Sequence, residues 1–218
     1  MSHMSSIRYS QDGYALTTIG LTGLGSPELR VEVSDETLLD ESKAFLETMV
    51  KYVTEHRRIG PNETVEYGYW LIKFVEVDPT TFEAWERDAG GTGFTRGGTL
   101  ALTCWKQQHE VCQAVGSPFS PPRPDKLAAV AAGVFEGDPV DGARFVPDGK
   151  MSGWCFFTDR YDGNIRSLQY EHLYHVTARR PDLAKYLALK PGFCFDLHEP
   201  ERLWFDVSAA ASTGSIRQ

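Results

Sequence analysis

Long hydrophobic runs are missing from this chain of 218 residues. No segment approaches the ~20 uninterrupted apolar residues that a membrane-spanning helix requires, so the sequence predicts no membrane partner. The N-terminus also lacks a basic stretch followed by an apolar run, which disfavours a secretory signal. Together these absences lead us to expect a cytoplasmic protein.

Cysteine is scarce, with four residues and no Cys-x-x-Cys pair. A disulfide-dense miniprotein is therefore excluded, and reduced, buried thiols are expected at Cys104, Cys112, Cys155 and Cys194. On a helix, Cys104 and Cys112 would lie two turns apart, and His109 would point away from them. This spacing does not suit a shared metal ion.

The common catalytic signatures are absent too. The sequence contains no Gly-x-x-x-x-Gly-Lys loop, no Gly-x-Ser-x-Gly elbow and no His-Glu-x-x-His helix. Gly23-Leu-Gly25 follows a predicted strand, as in a dinucleotide-binding fingerprint. However, the third glycine is replaced by Glu28 and a strand follows instead of a helix, so we interpret the segment as a turn.

The nearest approach to a catalytic or metal-binding set is Glu171, His172 and His175. In a helix the two histidines would share a face, whereas in a strand they would lie on opposite faces. A tetrahedral metal site needs further ligands, and only Asp196 and His198 are available. We therefore predict no catalytic residue, no metal site and no cofactor, and keep a metal-assisted hydrolase using the first three residues as an alternative.

Hydrophobic periodicity predicts the elements of the first half. Ser34 and Asp35 are suited to cap a helix, and Gly60-Pro61-Asn62 is suited to end it. The predicted elements are strands at 14–20 and 28–33, a helix reaching about Arg58, one long strand at 67–77, a mobile glycine-rich loop at 88–98 and a helix at 100–115.

Four prolines fall within seven residues of the segment Gly116–Pro124, which predicts a stiff linker. The elements predicted after it are strands at 130–135 and 154–158, short helices at 171–179 and 182–189, and a hairpin of strands 192–197 and 202–207. The predicted fold class is α+β, with two small mixed α/β domains that have antiparallel sheets and a cleft between them. Their bounds are residues 7–115 and 125–207, joined by the linker 116–124 and followed by a frayed tail, 208–218.

The net charge of −8 is unevenly distributed along the chain. Residues 1–115 carry 10 Lys and Arg against 17 Asp and Glu, whereas residues 116–218 carry 12 against 13. Such a protein should repel nucleic acid and attract basic partners. Capping of the first helix accounts for only two residues of the densest acidic cluster. That cluster is Glu32, Asp35, Glu36, Asp40, Glu41 and Glu47.

Three ordered segments of the second half resemble a known family. They are Gly133–Val140, Met151–Asp159 with its Ser-Gly-Trp core, and Leu173–Gly192 with its Pro-Asp helix and Pro-Gly turn. Together they resemble immunity-protein family 33 of bacterial polymorphic-toxin systems, which is linked to suppressor-of-fused-like immunity proteins. The resemblance covers about residues 125–207. The sequence departs from the family at Met151, where relatives often carry a more acidic residue.

The first half is similar, over shorter stretches, to a second bacterial domain that accompanies toxin-immunity modules. The stretches are Thr18–Leu21, Pro27–Leu29 and Trp105–Cys112. The pair of domains looks similar to the immunity partner of a type VI secretion nuclease effector. This resemblance implies a non-enzymatic, stoichiometric binder of a toxin, and an acidic inhibitor suits the basic phosphate-binding groove of a nuclease.

We expect a monomer that contacts its toxin through one of two surfaces. The first is the acidic cluster at the start of the first helix. The second, in the C-terminal half, comprises Trp154, Asp159, Tyr161, Asp162 and Trp204. An adaptor protein without a toxin partner stays open as a further alternative.

Overall fold

The computed structural model describes residues 7–55, 58–198 and 200–213. The chain divides into two compact units between residues 106 and 107. Each unit combines one mixed, mostly antiparallel sheet with helical segments, so the α+β prediction is confirmed. No helix in these ranges is long and apolar enough to cross a membrane.

The first unit is a seven-stranded sheet with a long helix. The strands run in the order β1-β2-β3-β6-β5-β4, with β7 paired to β6, and only β3 and β6 are parallel among the described pairs. The predicted strands near 15–19 and 28–32 and both predicted helices are confirmed. The elements are β1 (Arg8–Asp12), β2 (Ala15–Ile19), β3 (Glu28–Glu32), α1 (Leu39–Glu55), β4 (Thr64–Tyr67), β5 (Trp70–Asp78), β6 (Thr81–Arg87), β7 (Phe94–Arg96) and the first half of α2 (Thr99–Ala114), which continues into the second unit.

Helix α1 begins and packs as its sequence predicts. The Asp35 carboxylate accepts a hydrogen bond from the Thr37 amide at 2.9 Å, ahead of a 3-10 turn that leads into the helix. Its apolar face is buried, and the Phe45 ring meets the Tyr67 ring edge-on at 4.9 Å. The helix is described as far as Glu55, and residues 56–57 lie outside the described part of the chain.

Most of the strand predicted at 67–77 is β5, but its predicted start at Tyr67 is wrong. Strand β4 ends at Tyr67, and β5 begins at Trp70 and returns antiparallel to it. Gly68 makes the turn with a φ of 61°, a left-handed conformation that favours glycine. Strand β6 was not predicted, and the glycine-rich loop contains the short strand β7.

The second unit is a six-stranded sheet in the order β11-β8-β10-β9-β12-β13, with β8 and β10 parallel. The predicted strand near 154–158 and the predicted hairpin are confirmed. The elements are β8 (Leu127–Val130), β9 (Asp141–Arg144), β10 (Met151–Phe157), β11 (Gln169–His172), α3 (Leu173–Arg179), β12 (Phe193–Asp196), β13 (Arg202–Phe205) and α4 (Val207–Ala211).

Four predictions for the second unit need correction. The strand expected at 130–135 is shifted to β8, and a 3-10 turn, Val134–Glu136, follows it. The helix expected at 171–179 begins only at Leu173, since the residues before it belong to β11. The helix expected at 182–189 is the 3-10 segment Pro181–Tyr186. Residues 207–211 form α4 instead of a frayed tail because the Asp206 carboxylate caps that helix; residues 214–218 lie outside the described part.

The Ser-Gly-Trp core is a bulge that buries a tryptophan. The Ser152 hydroxyl accepts a hydrogen bond from the Trp154 amide at 3.1 Å, and Gly153 has a φ of 86°. A Cβ on Gly153 would lie 2.1 Å from the Phe145 carbonyl oxygen, so only glycine fits there. The Trp154 side chain is completely buried, and its indole N–H donates to the Leu187 carbonyl at 3.2 Å. The motif therefore serves packing.

Arg144 is buried at the centre of the second unit. Its guanidinium donates to the backbone carbonyls of Ser120, Leu187 and Leu189, and its Nε has no partner among the described residues. The guanidinium lies 5.9 Å from the Trp154 ring centre. Burial lowers the pKa of Arg144 to about 10. This side chain ties the proline-rich segment to the body of the second unit.

The proline-rich segment 116–124 therefore belongs to the second unit, and the division between the units falls within α2. The Ser120 amide donates to the Ala188 carbonyl at 2.8 Å, and the Lys190 amide donates to the Ser117 hydroxyl at 3.1 Å. The physical reason is that prolines stiffen a segment without preventing its remaining polar groups from bonding to a neighbouring surface. That this segment acts as a linker between two domains stays a prediction.

Candidate functional site: a charged groove beside strand β13

Strand register places two rows of residues on one face of the second sheet. Because side chains alternate between faces, residues paired across neighbouring strands point to the same side. The first row is Phe157, Asp141, Asp196 and Arg202, and the second row is Cys155, Ala143, Cys194 and Trp204. The side chains on this face near β13 form the candidate site.

The opposite face of the same strands is the core of the unit. Trp154 and Phe156 alternate with the residues of the two rows, and their rings stack with centres 5.7 Å apart. The Phe195 ring occupies the space over Gly142, where a Cβ would lie 2.2 Å from the ring. Apart from the buried Arg144, the charged residues of β9, β12 and β13 lie on the other face.

Asp196 is the centre of the charged row. Its side chain is only 5% exposed, and Oδ2 accepts hydrogen bonds from the Arg202 guanidinium, with Nε at 3.1 Å. Oδ1 lies 2.7 Å from Nδ1 of His198 and accepts the backbone N–H of the same residue at 2.7 Å. These bonds, led by those from Arg202, hold the pKa of Asp196 well below its ordinary value.

Two further aspartates surround this centre. Oδ2 of Asp159 lies 3.5 Å from Nε2 of His198. The hydrogen bond to Asp196 raises the pKa of His198, and the charges of Asp159 and Asp141 raise it further. Burial raises the pKa of Asp141, and the neighbouring charge of Asp196 adds to that rise. Asp141, Asp159 and Asp196 therefore interact with one another and share two cationic side chains, those of His198 and Arg202.

An open cavity of about 620 Å³ lies over this network, and we call it the β13 groove. Trp204 contributes an aromatic surface that is 43% exposed. The charged residues and tryptophan that line the groove are Asp141, Asp159, Asp196, His198, Arg202, Trp204 and Asp206. The arrangement is suited to receiving a positively charged group against an aromatic ring.

Three of these residues also form a possible set of metal ligands. Asp141, Asp196 and His198 each offer one donor atom, and these atoms lie within 4.8 Å of one another. Both oxygens of Asp196, however, already accept hydrogen bonds from Arg202 and His198. We therefore interpret the set as an ion-pair network, in which a metal would have to displace a guanidinium.

The alternative hydrolase set, Glu171, His172 and His175, has other partners in the structure. His175 Nδ1 lies 3.3 Å from Glu171 Oε2, and His172 Nδ1 lies 2.8 Å from the Asp125 carbonyl oxygen. The possible additional ligands, Asp196 and His198, lie in or just after β12, near the opposite edge of the sheet. Four strand spacings separate β11 from β12, which is roughly 19 Å.

The N-terminal acidic cluster divides into paired and exposed residues. Glu32 forms ion pairs with Arg30 and Arg96, and Glu41 lies 3.2 Å from the Lys106 ammonium. Asp35 caps the turn before α1. These three carboxylates thus have structural roles.

Glu36, Asp40 and Glu47 are exposed, as predicted for a solvent face. Asp40 and Glu47 are seven residues apart and share one side of α1. Lys43 and Lys51 are also exposed on that side, spaced four residues from Glu47. The alternating charges make the field of this helix weaker than the count of carboxylates suggests.

The second predicted contact surface is only partly retained. Trp154 is completely buried and is removed from it. Asp159 and Trp204 meet in the β13 groove. Tyr161 packs its ring 4.9 Å from that of Phe157, and Asp162 is exposed and accepts the Asn164 amide at 2.8 Å.

Sequence reasoning missed Asp141, Arg202 and Asp206 as site residues. The available signal was a charged residue placed inside or beside an apolar strand, as at Asp206 after Leu203-Trp204-Phe205. The four cysteines are buried free thiols, as predicted, and burial raises the pKa of Cys104 and of Cys155 to about 12.

The second unit is thus an α+β domain with an open, charged groove at one edge of its sheet. Residues 107–206 match the family model described as Imm33-like domain, and this range contains all six of its strands. This match supports an immunity-protein family 33 type in the C-terminal half. No curated protein and no solved structure matches the chain.

Proposed function

We propose that this chain is an immunity protein that neutralises a cognate antibacterial toxin by stoichiometric binding, without catalysis or a cofactor. The observation that carries the proposal is the match of residues 107–206 to the Imm33-like domain. The chain acts as a monomer in the cytoplasm. Its partner is a basic nuclease effector of type VI secretion.

Charge supports a basic partner. The chain carries a net charge of −8, and most of the excess lies before residue 116. Exposed carboxylates at Glu36, Asp40 and Glu47 provide long-range attraction, which accelerates encounter with a positively charged protein. Such charges act mainly on the association rate, because they are solvated at the rim of a complex.

The test is co-expression with a candidate toxin taken from the neighbouring genes. We expect restored growth of cells that produce the active toxin and co-purification of the two proteins in a 1:1 ratio. An inactivated toxin serves as the control, because it separates binding from protection. Growth arrest without complex formation would contradict the proposal, and capture of other proteins without protection would favour an adaptor.

A further inference from the structure

We propose that the β13 groove is the docking site for an extended, arginine-bearing segment of the toxin. The inference rests on the proposed function for the origin of that segment. It assigns the main contact to the edge of the second sheet. The three observations that support it are a free strand edge, an exposed tryptophan and an excess of carboxylates.

The outer edge of β13 carries unused backbone groups. Within the described part of the chain, β13 pairs with β12 alone. The Asp206 amide donates to the Gly192 carbonyl at 2.7 Å, and hydrogen-bonding residues alternate along an antiparallel pair. The N–H and C=O groups of Leu203 and Phe205 therefore point outward, where an added strand can bond to them.

The groove face selects the side chain that such a strand presents. Trp204 faces the groove and offers its ring to a planar cation. Four aspartates line the cavity against two cationic residues, Arg202 and His198, so the groove stays negative even when both are charged. Arginine fits this combination because its guanidinium stacks on aromatic rings and bonds to carboxylates at its edges.

The other edge of the sheet lacks this combination. Strand β11 carries the exposed aromatic Tyr170, but its charged neighbour Glu171 is already 3.3 Å from His175. It has no counterpart to the four aspartates of the groove among the residues of β11. This edge therefore provides matched control positions in the same domain.

The first experiment uses the full chain labelled with ¹⁵N and two synthetic peptides, one alternating arginine with valine and one alternating glutamate with valine. The chain has five tryptophans, and each indole N–H gives one resonance. We expect the arginine peptide to shift the Trp204 resonance selectively, with assignment by Trp204→Phe. The glutamate peptide should leave it unchanged.

The second experiment removes charge from the groove. In the double variant Asp141→Asn/Asp159→Asn we expect the affinity for the arginine peptide to fall about tenfold, since two attractive charges are lost. Trp204→Ala should also weaken binding, whereas Tyr170→Ala and Glu171→Gln should not. Circular dichroism confirms that each variant folds. Equal affinity in the double variant, or shifts centred on other tryptophans, would overturn the proposal.

Co-expression with the toxin separates this proposal from the proposed function. If the wild type protects and the Asp141→Asn/Asp159→Asn and Trp204→Ala variants protect equally well, the groove is not the docking site. The proposed function is then unaffected. Selective binding of the arginine peptide by a chain that fails to protect overturns the function and supports the groove as a peptide site.

Discussion

Replacing Arg144 by methionine tests how the second unit is held together. The three backbone carbonyls all lie around Nη1 of the guanidinium, whose two hydrogens allow about two full hydrogen bonds at a time. Bonds from a charged donor contribute roughly 1.5–3 kcal/mol each, or about 4 kcal/mol for two, net of the bonds to water that they replace. Burial lowers the pKa of Arg144 to about 10, so the guanidinium stays charged at pH 7 and keeps donating these bonds. Methionine fills part of the same space but leaves these carbonyls without their donor, so we expect Arg144→Met to lower the free energy of unfolding by about 3 kcal/mol.

The measurement is urea unfolding followed by tryptophan fluorescence, together with limited proteolysis. Because Arg144 bonds to the Ser120 carbonyl, we expect faster cleavage within residues 116–124 in the variant. Arg166→Met is the control, since that side chain is exposed and should change stability by less than about 0.5 kcal/mol. A loss below about 1 kcal/mol in Arg144→Met, with unchanged cleavage, would refute the reasoning.

Three further predictions concern charge, metal and pH. Reversing Glu36 and Asp40 to lysine should slow association with the toxin about threefold and flatten its salt dependence, measured by stopped flow; an unchanged rate and slope would exclude steering by α1. Purified protein should contain no stoichiometric zinc by elemental analysis, and His172→Ala should leave toxin protection intact. Arg202 lowers the pKa of Asp196, so the stabilising effect of its charge is complete above about pH 3.9 and is lost as the pH falls through the folded-state pKa. The stability difference between wild type and Asp196→Asn should therefore be large at pH 7 and shrink below pH ~3.9; a constant difference across urea titrations would contradict this.

The sequence predicted correctly those helices and strands whose cap residues and hydrophobic spacing lie within one continuous segment. Helix α1 was found because its cap at Asp35 and its apolar spacing agree. The break at Gly68 was missed because apolar and aromatic residues continue on both sides of the turn, so periodicity shows no interruption. The start of α3 was misplaced because Glu171 and His172 suit a helix locally but are bonded into β11 by the distant strand β8.

The β13 groove was beyond sequence reasoning for a different reason. Asp141 and Asp196 are 55 positions apart and meet only because β9 and β12 pair in one particular register. Asp159 and Trp204 were predicted as contact residues, but nothing local shows that they share a cavity. Trp154 was grouped with them because exposure cannot be judged for an isolated tryptophan in a strand.

The bulge at Ser152-Gly153-Trp154 has a consequence for which substitutions the second unit can tolerate. Trp154 faces the core, whereas Trp204 and Asp141 face the opposite side of the same sheet. Substitutions of the residues on the outer face therefore leave the buried tryptophan and its bulge unchanged. Substitutions at the sheet edge can therefore change what the β13 groove binds while the core that holds the strands in register stays the same.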